Sequence, residues 1–197
     1  MKINFRLIAC AVALMGLLGT SARGAVLTDG NSTVTINPSS PTGVSDWTVN
    51  GVDQLNRDWF WYRLSGAALS IDTISAPVVT PTGTTMLTTT YLNNQINLTI
   101  SYALLGGTPG SGSSQLSIQF AVQNLSTAGP LTFYNYGDFS LGGGPHNVQM
   151  GLNGSGKFNE ALVTAANGNT LDVNVTPGAN EGETAVAQSC GEEDRSA

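Results

Sequence analysis

The sequence feature that most restricts the fold is an Asn-Gly pair, Asn50-Gly51, between two short runs of alternating apolar residues. Asn and Gly accept the positive φ angles of both central positions of a type I′ turn, and the twist of that turn matches two paired strands. An aromatic run, Trp59-Phe60-Trp61-Tyr62, follows shortly afterwards. The segment therefore predicts a β-hairpin followed by a densely packed strand.

Regular alternation continues along the chain and no helical period of apolar residues persists. Residues 95–102 place Ile and Leu side chains and one Tyr on one face. After the Gly- and Ser-rich loop 106–114, residues 115–122 place Leu, Ile, Phe and Val on one face. These two segments are predicted to pair as a long-looped hairpin. Further strands are predicted at residues 32–36, 44–49, 59–64, 69–74, 84–91, 131–139, 147–152, 158–164 and 171–175, separated by Gly-, Pro- and Asn-rich turns such as 81–83.

Short strands at this spacing, each with one apolar face, predict an all-β fold in which two antiparallel sheets pack face to face as a β-sandwich. Jelly-roll-like and immunoglobulin-like topologies both remain open. One domain is expected over residues 25–176. From residue 177 to 197 the chain is small, acidic and without periodicity, and a disordered or aberrant tail is expected there.

The first 24 residues have the pattern of a signal peptide. Lys2 and Arg6 precede an apolar stretch from Leu7 to Leu18, and small residues follow at a spacing suited to cleavage after Gly24. The apolar stretch is short for a transmembrane span, and no second one follows it. The sequence therefore predicts a secreted or cell-surface protein without a membrane span after signal removal.

Signal removal leaves four basic residues, Arg57, Arg63, Lys157 and Arg195, beside 13 acidic ones, a net charge of −9. These basic residues do not cluster in the sequence, and nucleic acid or an anionic membrane needs a basic patch, so neither is an expected partner. Cys190 is the only cysteine of the predicted mature chain, which excludes an intrachain disulfide. An apolar core must supply the stability instead.

Catalytic and metal-binding patterns are weak. His146, the single histidine, follows a Gly-rich segment and is expected in an exposed loop without a catalytic role. One His and one mature Cys cannot form the usual protein-only zinc site. We expect no catalytic residue, no metal and no cofactor. Six carboxylates could contribute loop oxygens to calcium binding: Asp29, Asp46, Asp53, Asp58, Asp72 and Asp138. Asp29 and Asp138 are more economically interpreted as turn residues, and the sequence gives no reason to combine any two of the six as a glycosidase pair.

The aromatic run allows two interpretations. In a strand, Trp59 and Trp61 share one face while Phe60 and Tyr62 share the other. An exposed face would be an aromatic strip for a sugar or a protein partner, with Trp59, Trp61 and Tyr62 as candidate binding residues. The favoured interpretation is that both faces are covered, because large aromatic side chains dominate core energetics.

Several segments resemble, in their order, bacterial secreted proteins of the PEP-CTERM type. The segments are 29–32, 47–55, 59–63, 100–107 and 133–143, so the resemblance extends from Asp29 to about Gly144. It implies export by a Gram-negative bacterium that makes exopolysaccharide, and display at the cell surface or in the biofilm matrix. The family supplies no catalytic residues to transfer. The sorting signal of such proteins, Val-Pro-Glu-Pro, an apolar helix and a basic cluster, does not occur in this sequence, so the chain is expected to be either truncated or frameshifted, or freely secreted. The unusual tail, residues 185–197, favours truncation, and the sandwich would then lack its final strands.

We therefore expect a non-enzymatic surface or extracellular-matrix protein with a structural or adhesive role, whose partners are exopolysaccharide or other matrix proteins. A carbohydrate-binding module that uses exposed aromatic residues is the alternative. A secreted glycan-acting enzyme is the more distant one.

Overall fold

The computed structural model describes residues 24–126 and 129–179, which are almost entirely β-strand. Residues 1–23 of the predicted signal peptide and residues 180–197 of the predicted tail lie outside the described residues. The strands are β1 (Ala25–Asp29), β2 (Ser32–Asn37), β3 (Gly43–Val49), β4 (Val52–Asp53), β5 (Leu55–Arg63), β6 (Leu69–Ser70), β7 (Val78–Thr82), β8 (Met86–Leu92), β9 (Ile96–Gly106), β10 (Ser114–Asn124), β11 (Thr132–Phe139), β12 (His146–Leu152), β13 (Phe158–Ala165) and β14 (Thr170–Ala179), and one short 3-10 helix spans Ile71–Thr73.

The strands form three antiparallel sheets. The first has the order β1-β2-β3-β5-β11, with β4 added beside β3 and β6 beside β5. The second has the order β10-β9-β8-β7, and the third is β12-β13-β14. The predicted all-β, antiparallel fold class is confirmed. The sequence did not predict that its last three strands form a separate sheet.

The main core lies between the first two sheets. Strand β9 buries Ile96, Leu98, Ile100 and Tyr102, the residues that the alternation assigned to one face. The predicted partner strand is also confirmed, since β10 pairs with β9 over its whole length. The buried cluster that includes this core contains residues from both sheets and from the 3-10 helix region: Leu27, Val34, Ile36, Val44, Trp47, Val49, Leu55, Trp59, Phe60, Tyr62, Ile71, Ile74, Leu87, Tyr91, Ile96, Leu98, Ile100, Tyr102 and Leu104.

The third sheet has a small core of its own, made of Leu141, Val163 and Ala165. Phe139 and Leu171 pack against both this cluster and the main core. These two side chains therefore connect the third sheet to the sandwich.

The Asn-Gly hairpin is confirmed. Asn50 and Gly51 have φ angles of 52° and 76°, and Val49 pairs with Val52 across the turn. The N–H of Asn50 also donates to the carbonyl oxygen of Asn31 at 2.8 Å. The turn thus closes the β3–β4 hairpin and is tied to the turn between β1 and β2.

Hydrogen bonds join the first and second sheets at one end of the sandwich. The N–H of Gly106 donates to the Asp29 carboxylate at 2.9 Å. The N–H of Gly107 donates to Oδ1 of Asn31 at 2.9 Å, and the N–H of Asn31 donates back to the carbonyl oxygen of Gly107 at 3.0 Å. Three of the segments that carry the sequence resemblance, around residues 30, 50 and 107, therefore meet at this end, although they are far apart in the chain.

Two local predictions were wrong. Residues 69–74 form a two-residue strand followed by the 3-10 helix, because Ile71 and Ile74 are three residues apart and both are buried, a helical rather than an alternating spacing. Pro81 lies inside β7 instead of in a turn. It is tolerated there because β7 is an edge strand, in which alternate residues have no neighbouring strand to receive their N–H. Strand β1 was not predicted.

Candidate functional site

The aromatic run lies on β5 and is mostly buried. Trp59 is 0 % exposed and Tyr62 is 5 % exposed, so neither ring can stack on a ligand in this structure. Phe60 faces the second sheet, where its ring centroid lies 4.6 Å from that of Phe120. The indole N–H of Trp59 donates to Oγ of Ser70 at 2.7 Å. The binding roles predicted for Trp59 and Tyr62 therefore need correction, since both are core residues.

Trp61 is the half-buried member of the run, and β11 supplies the residues around it. The antiparallel register of β5 and β11 places Tyr134 directly opposite Trp61 and Tyr136 opposite Trp59. Directly opposite residues of an antiparallel pair lie on the same face. Both tyrosines are therefore on the Trp61 face of the sheet, the face turned away from Phe60.

Arginines extend this face in both directions along β5. The guanidinium carbon of Arg57 lies 5.0 Å from the ring centroid of Tyr136, and that of Arg63 lies 5.5 Å from the ring centroid of Tyr134. Trp61 meets Tyr136 edge to face, with ring centroids 6.2 Å apart and planes at 88°. We call the row Arg63, Tyr134, Trp61, Tyr136 and Arg57 the arginine–aromatic strip.

The strip is accessible and ordered by its own contacts. Arg57 and Arg63 are exposed, and Tyr136 is 46 % exposed. The two arginines lie roughly 20 Å apart along β5. Each guanidinium is held over a ring at cation–π distance. The strip thus presents two guanidinium groups at the ends of a flat aromatic surface, and the register places Asp138 directly opposite Arg57.

The sequence indicated Trp61 but not its neighbours. The alternation of Arg57, Trp59, Trp61 and Arg63 already assigns both arginines to one face of β5. What the sequence lacked was the register with β11, which adds the two tyrosines. The basic residues do not form a patch, but two of them flank the same aromatic surface.

Asp58 lies next to the strip, on the opposite face of β5. Burial raises the pKa of this carboxyl group to about 7. Hydrogen bonds donated by Asn135 and by the backbone N–H of Trp59 lower the pKa, but their effect is smaller than that of burial. The side-chain amide of Asn135 also donates to the carbonyl oxygen of Trp59 at 3.3 Å. Asp58 is therefore a group whose charge changes near neutral pH.

The other carboxylates mostly accept local hydrogen bonds. Asp138 accepts from the side-chain amide of Asn56, and Asp53 accepts from Ser140. Burial raises the pKa of Asp46, and the negative charge of Asp53 and a hydrogen bond with it raise it further. Within residues 24–126 and 129–179, no group of three or more His, Cys, Asp or Glu side chains is placed to hold a metal ion.

His146 is not in a loop, which corrects the sequence interpretation. It is the first residue of β12, is half-buried and pairs with Ala165. Its Nδ1 atom is buried and has no hydrogen-bond partner within the described part of the chain. The Gly-rich loop ends at Pro145, so the strand begins at the histidine itself.

The fold and the strip together define the class: an all-β, antiparallel protein that exposes an arginine–aromatic surface on one edge of its larger sheet. No family model, no curated protein and no solved structure matches this chain. Over the part that the structure describes, no helix is long and apolar enough to cross a membrane.

Proposed function

We propose that this chain is an exported, non-enzymatic protein of a bacterial surface or extracellular matrix, with a structural or adhesive role. The observation that carries the proposal is the arginine–aromatic strip on a rigid β-scaffold. The predicted signal peptide and the resemblance to PEP-CTERM-type surface proteins support export.

The strip has the composition of a contact surface. Tyr, Trp and Arg are the residues most enriched at the energetic centres of interfaces, since they bring large contact areas together with polar groups. Tyr136 and Arg57 are already held against each other, so less side-chain freedom is lost when a partner binds. Such a surface suits adhesion to matrix components.

A carbohydrate-binding module is the second candidate function. Trp61 and Tyr136 offer partly exposed rings of the kind on which sugar rings stack, and the two flanking guanidinium groups pair well with carboxylates. This combination favours an acidic polysaccharide over a neutral one. Exopolysaccharide is thus the ligand expected for this second candidate function.

The double substitution Arg57→Ala with Tyr136→Ala tests the strip. Both side chains are exposed, so the fold should be retained while binding is lost. We expect retention of the full chain on an immobilised polyuronate, such as alginate, to weaken about tenfold or more, because each group contributes roughly 1 kcal/mol. Retention on a neutral dextran film should be weak for both proteins.

Two controls separate the strip from unspecific effects. Tyr136→Phe keeps the ring under Arg57 and should retain binding, whereas Leu152→Ala removes an exposed apolar side chain, 59 % exposed, from the third sheet.

The adhesive proposal itself is checked by attachment of the producing bacterium after gene deletion. Complementation by the double variant as effective as that by Leu152→Ala would contradict it. Attachment that depends on the strip without polyuronate retention would favour a protein partner.

A further inference from the structure

The second sheet ends in a long free edge. Strand β10 has 11 residues and, among the described residues, pairs only with β9. Its other side therefore carries a row of backbone N–H and C=O groups that no described strand of this chain satisfies. Such an edge is a template for another strand.

The other free edges are interrupted or charged. The five-residue β1 ends at Asp29, and the equally short β7 contains Pro81. Asp138 lies in β11, β12 has a register shift between Gly151 and Leu152, and β14 contains Asp172. Natural proteins protect edge strands with such devices. Strand β10, Ser-Gln-Leu-Ser-Ile-Gln-Phe-Ala-Val-Gln-Asn, has no charge, no proline and no glycine.

The sequence of β10 is complementary to itself. If a second β10 pairs antiparallel with Gln119 opposite its own copy, Ile118 lies opposite Phe120 and Leu116 lies opposite Val122. In the same register the remaining glutamines also lie opposite each other. Every large apolar residue meets another large apolar residue, and all of them lie on one face of the joined sheet.

The same face is incompletely covered in the single chain. Phe120 and Val122 are 40 % and 39 % exposed, although they share a face with the buried residues of β9. Pairing would place an apolar side chain of the second copy beside each of them. The core of the sandwich would thereby continue across the interface.

We propose that β10 pairs antiparallel with β10 of a second copy of this chain, around a two-fold axis at Gln119, to join two four-stranded sheets into one of eight strands. The partner strand is inferred to be a second copy of β10, because in this register the apolar residues and the glutamines of both strands lie opposite residues of their own kind. The chain has a net charge of −6, and β10 is an edge at which two copies meet without placing like charges opposite each other. A contact of this size gives a weak dimer, with a dissociation constant on the order of micromolar.

Gln119→Lys tests the axis. Gln119 is exposed and faces away from the core, so the fold should be unchanged, which far-ultraviolet circular dichroism checks. In the dimer the two lysines lie directly opposite, and we expect the dissociation constant to rise about fivefold or more in sedimentation velocity over a concentration series. The substitution lowers the net negative charge, so a general charge effect would change association in the opposite direction.

Gln123→Lys is the matched control, with the same charge change on the same strand and face. In the proposed register it lies opposite Gln115 and far from its own copy, so association should remain close to that of the unmodified chain. An equimolar mixture of Gln119→Lys and Gln119→Glu should restore the dimer. A chain that stays monomeric at all concentrations, or a mixture that fails to restore association, overturns the proposal. Equal weakening by Gln123→Lys overturns the register.

Discussion

Gly106→Ala is expected to lower the free energy of unfolding by about 3 kcal/mol or more. A Cβ atom at this position would lie 1.8 Å from the carbonyl oxygen of Asp29 and 2.6 Å from its carbonyl carbon. The obstacle is backbone of the other sheet, not the end of a flexible side chain, so β1 and β9 must separate to relieve the clash. That separation also breaks the hydrogen bond from the Gly106 N–H to the Asp29 carboxylate.

Chemical denaturation with urea measures this effect, and Gly154→Ala is the control. Gly154 lies between β12 and β13, does not have a positive φ angle, and has no heavy atom within 4 Å of the place that an added methyl group would occupy. The same substitution should therefore change stability by less than about 0.5 kcal/mol there. If both variants unfold at the same urea concentration, the close approach of the two sheets at Gly106 is not a tight one.

The contact between Gly106 and Asp29 illustrates what local sequence patterns can and cannot predict. Alternation predicted β9 and β10 as a pair, and the Asn50-Gly51 turn followed from the φ angles those residues accept. The contact of Gly106 with Asp29 joins residues 77 positions apart. No periodicity encodes such a distance, so the glycine could be interpreted only as part of a loop.

The same limit explains the last three strands. Strands β12 and β13 were predicted close to their observed bounds, whereas β14 continues to Ala179, past residue 177 where the tail was expected to begin. Alternation fixes which face of a strand is apolar, not which sheet it joins. The third sheet is attached to the sandwich through Phe139 and Leu171, which pack against both cores. Half-buried residues of this kind do not differ from ordinary strand residues in the sequence.

The sequence predicted only part of the candidate site, because it does not contain the pairing of β5 with β11. Trp61 was proposed together with Trp59 and Tyr62, because a strand pattern assigns faces but does not reveal what covers each face. Both faces of β5 are covered at Trp59 and Phe60, whereas Trp61 is only half-buried. The favoured prediction of a packed strand therefore holds for most of the run, and the accessible surface comes from pairing with Tyr134 and Tyr136 on β11.

Asp58 should make the protein less stable as the pH rises from about 4 to about 7. Burial raises the pKa of its carboxyl group from 3.8 to about 7 in the folded chain, so in this range the folded state holds a proton that the unfolded state has lost. The free energy of unfolding then falls by up to about 1.4 kcal/mol for each pH unit. Below this range both states are protonated, and above it both are ionised, so the loss becomes constant at roughly 2–4 kcal/mol.

Asp58→Asn removes the titrating group and keeps a side chain of nearly the same shape beside Asn135. We expect the variant to resemble the unmodified protein at pH 4 and to be more stable by roughly 2–4 kcal/mol at pH 8, because an amide carries no charge to bury. Urea unfolding at a series of pH values measures both slopes. Leu152→Ala, which changes no titratable group, is the control and should keep the slope of the unmodified protein.

The location of Asp58 predicts which strand responds when its carboxyl group ionises. It lies at the junction where β5 pairs with Val44 of β3 on one side and with Gly137 of β11 on the other. Ionisation of Asp58 should loosen β11 before β3, since β11 is the edge strand of the larger sheet. The hydrogen bond from Asn135 of β11 favours the ionised carboxylate and opposes this loosening. Amide hydrogen exchange of Tyr134 and Tyr136 should become faster at pH 8 than at pH 5, beyond the intrinsic effect of pH, and Asp58→Asn should abolish the difference. Unchanged protection of β11 would mean that the charge is accommodated without movement of the strand that supplies both tyrosines of the arginine–aromatic strip.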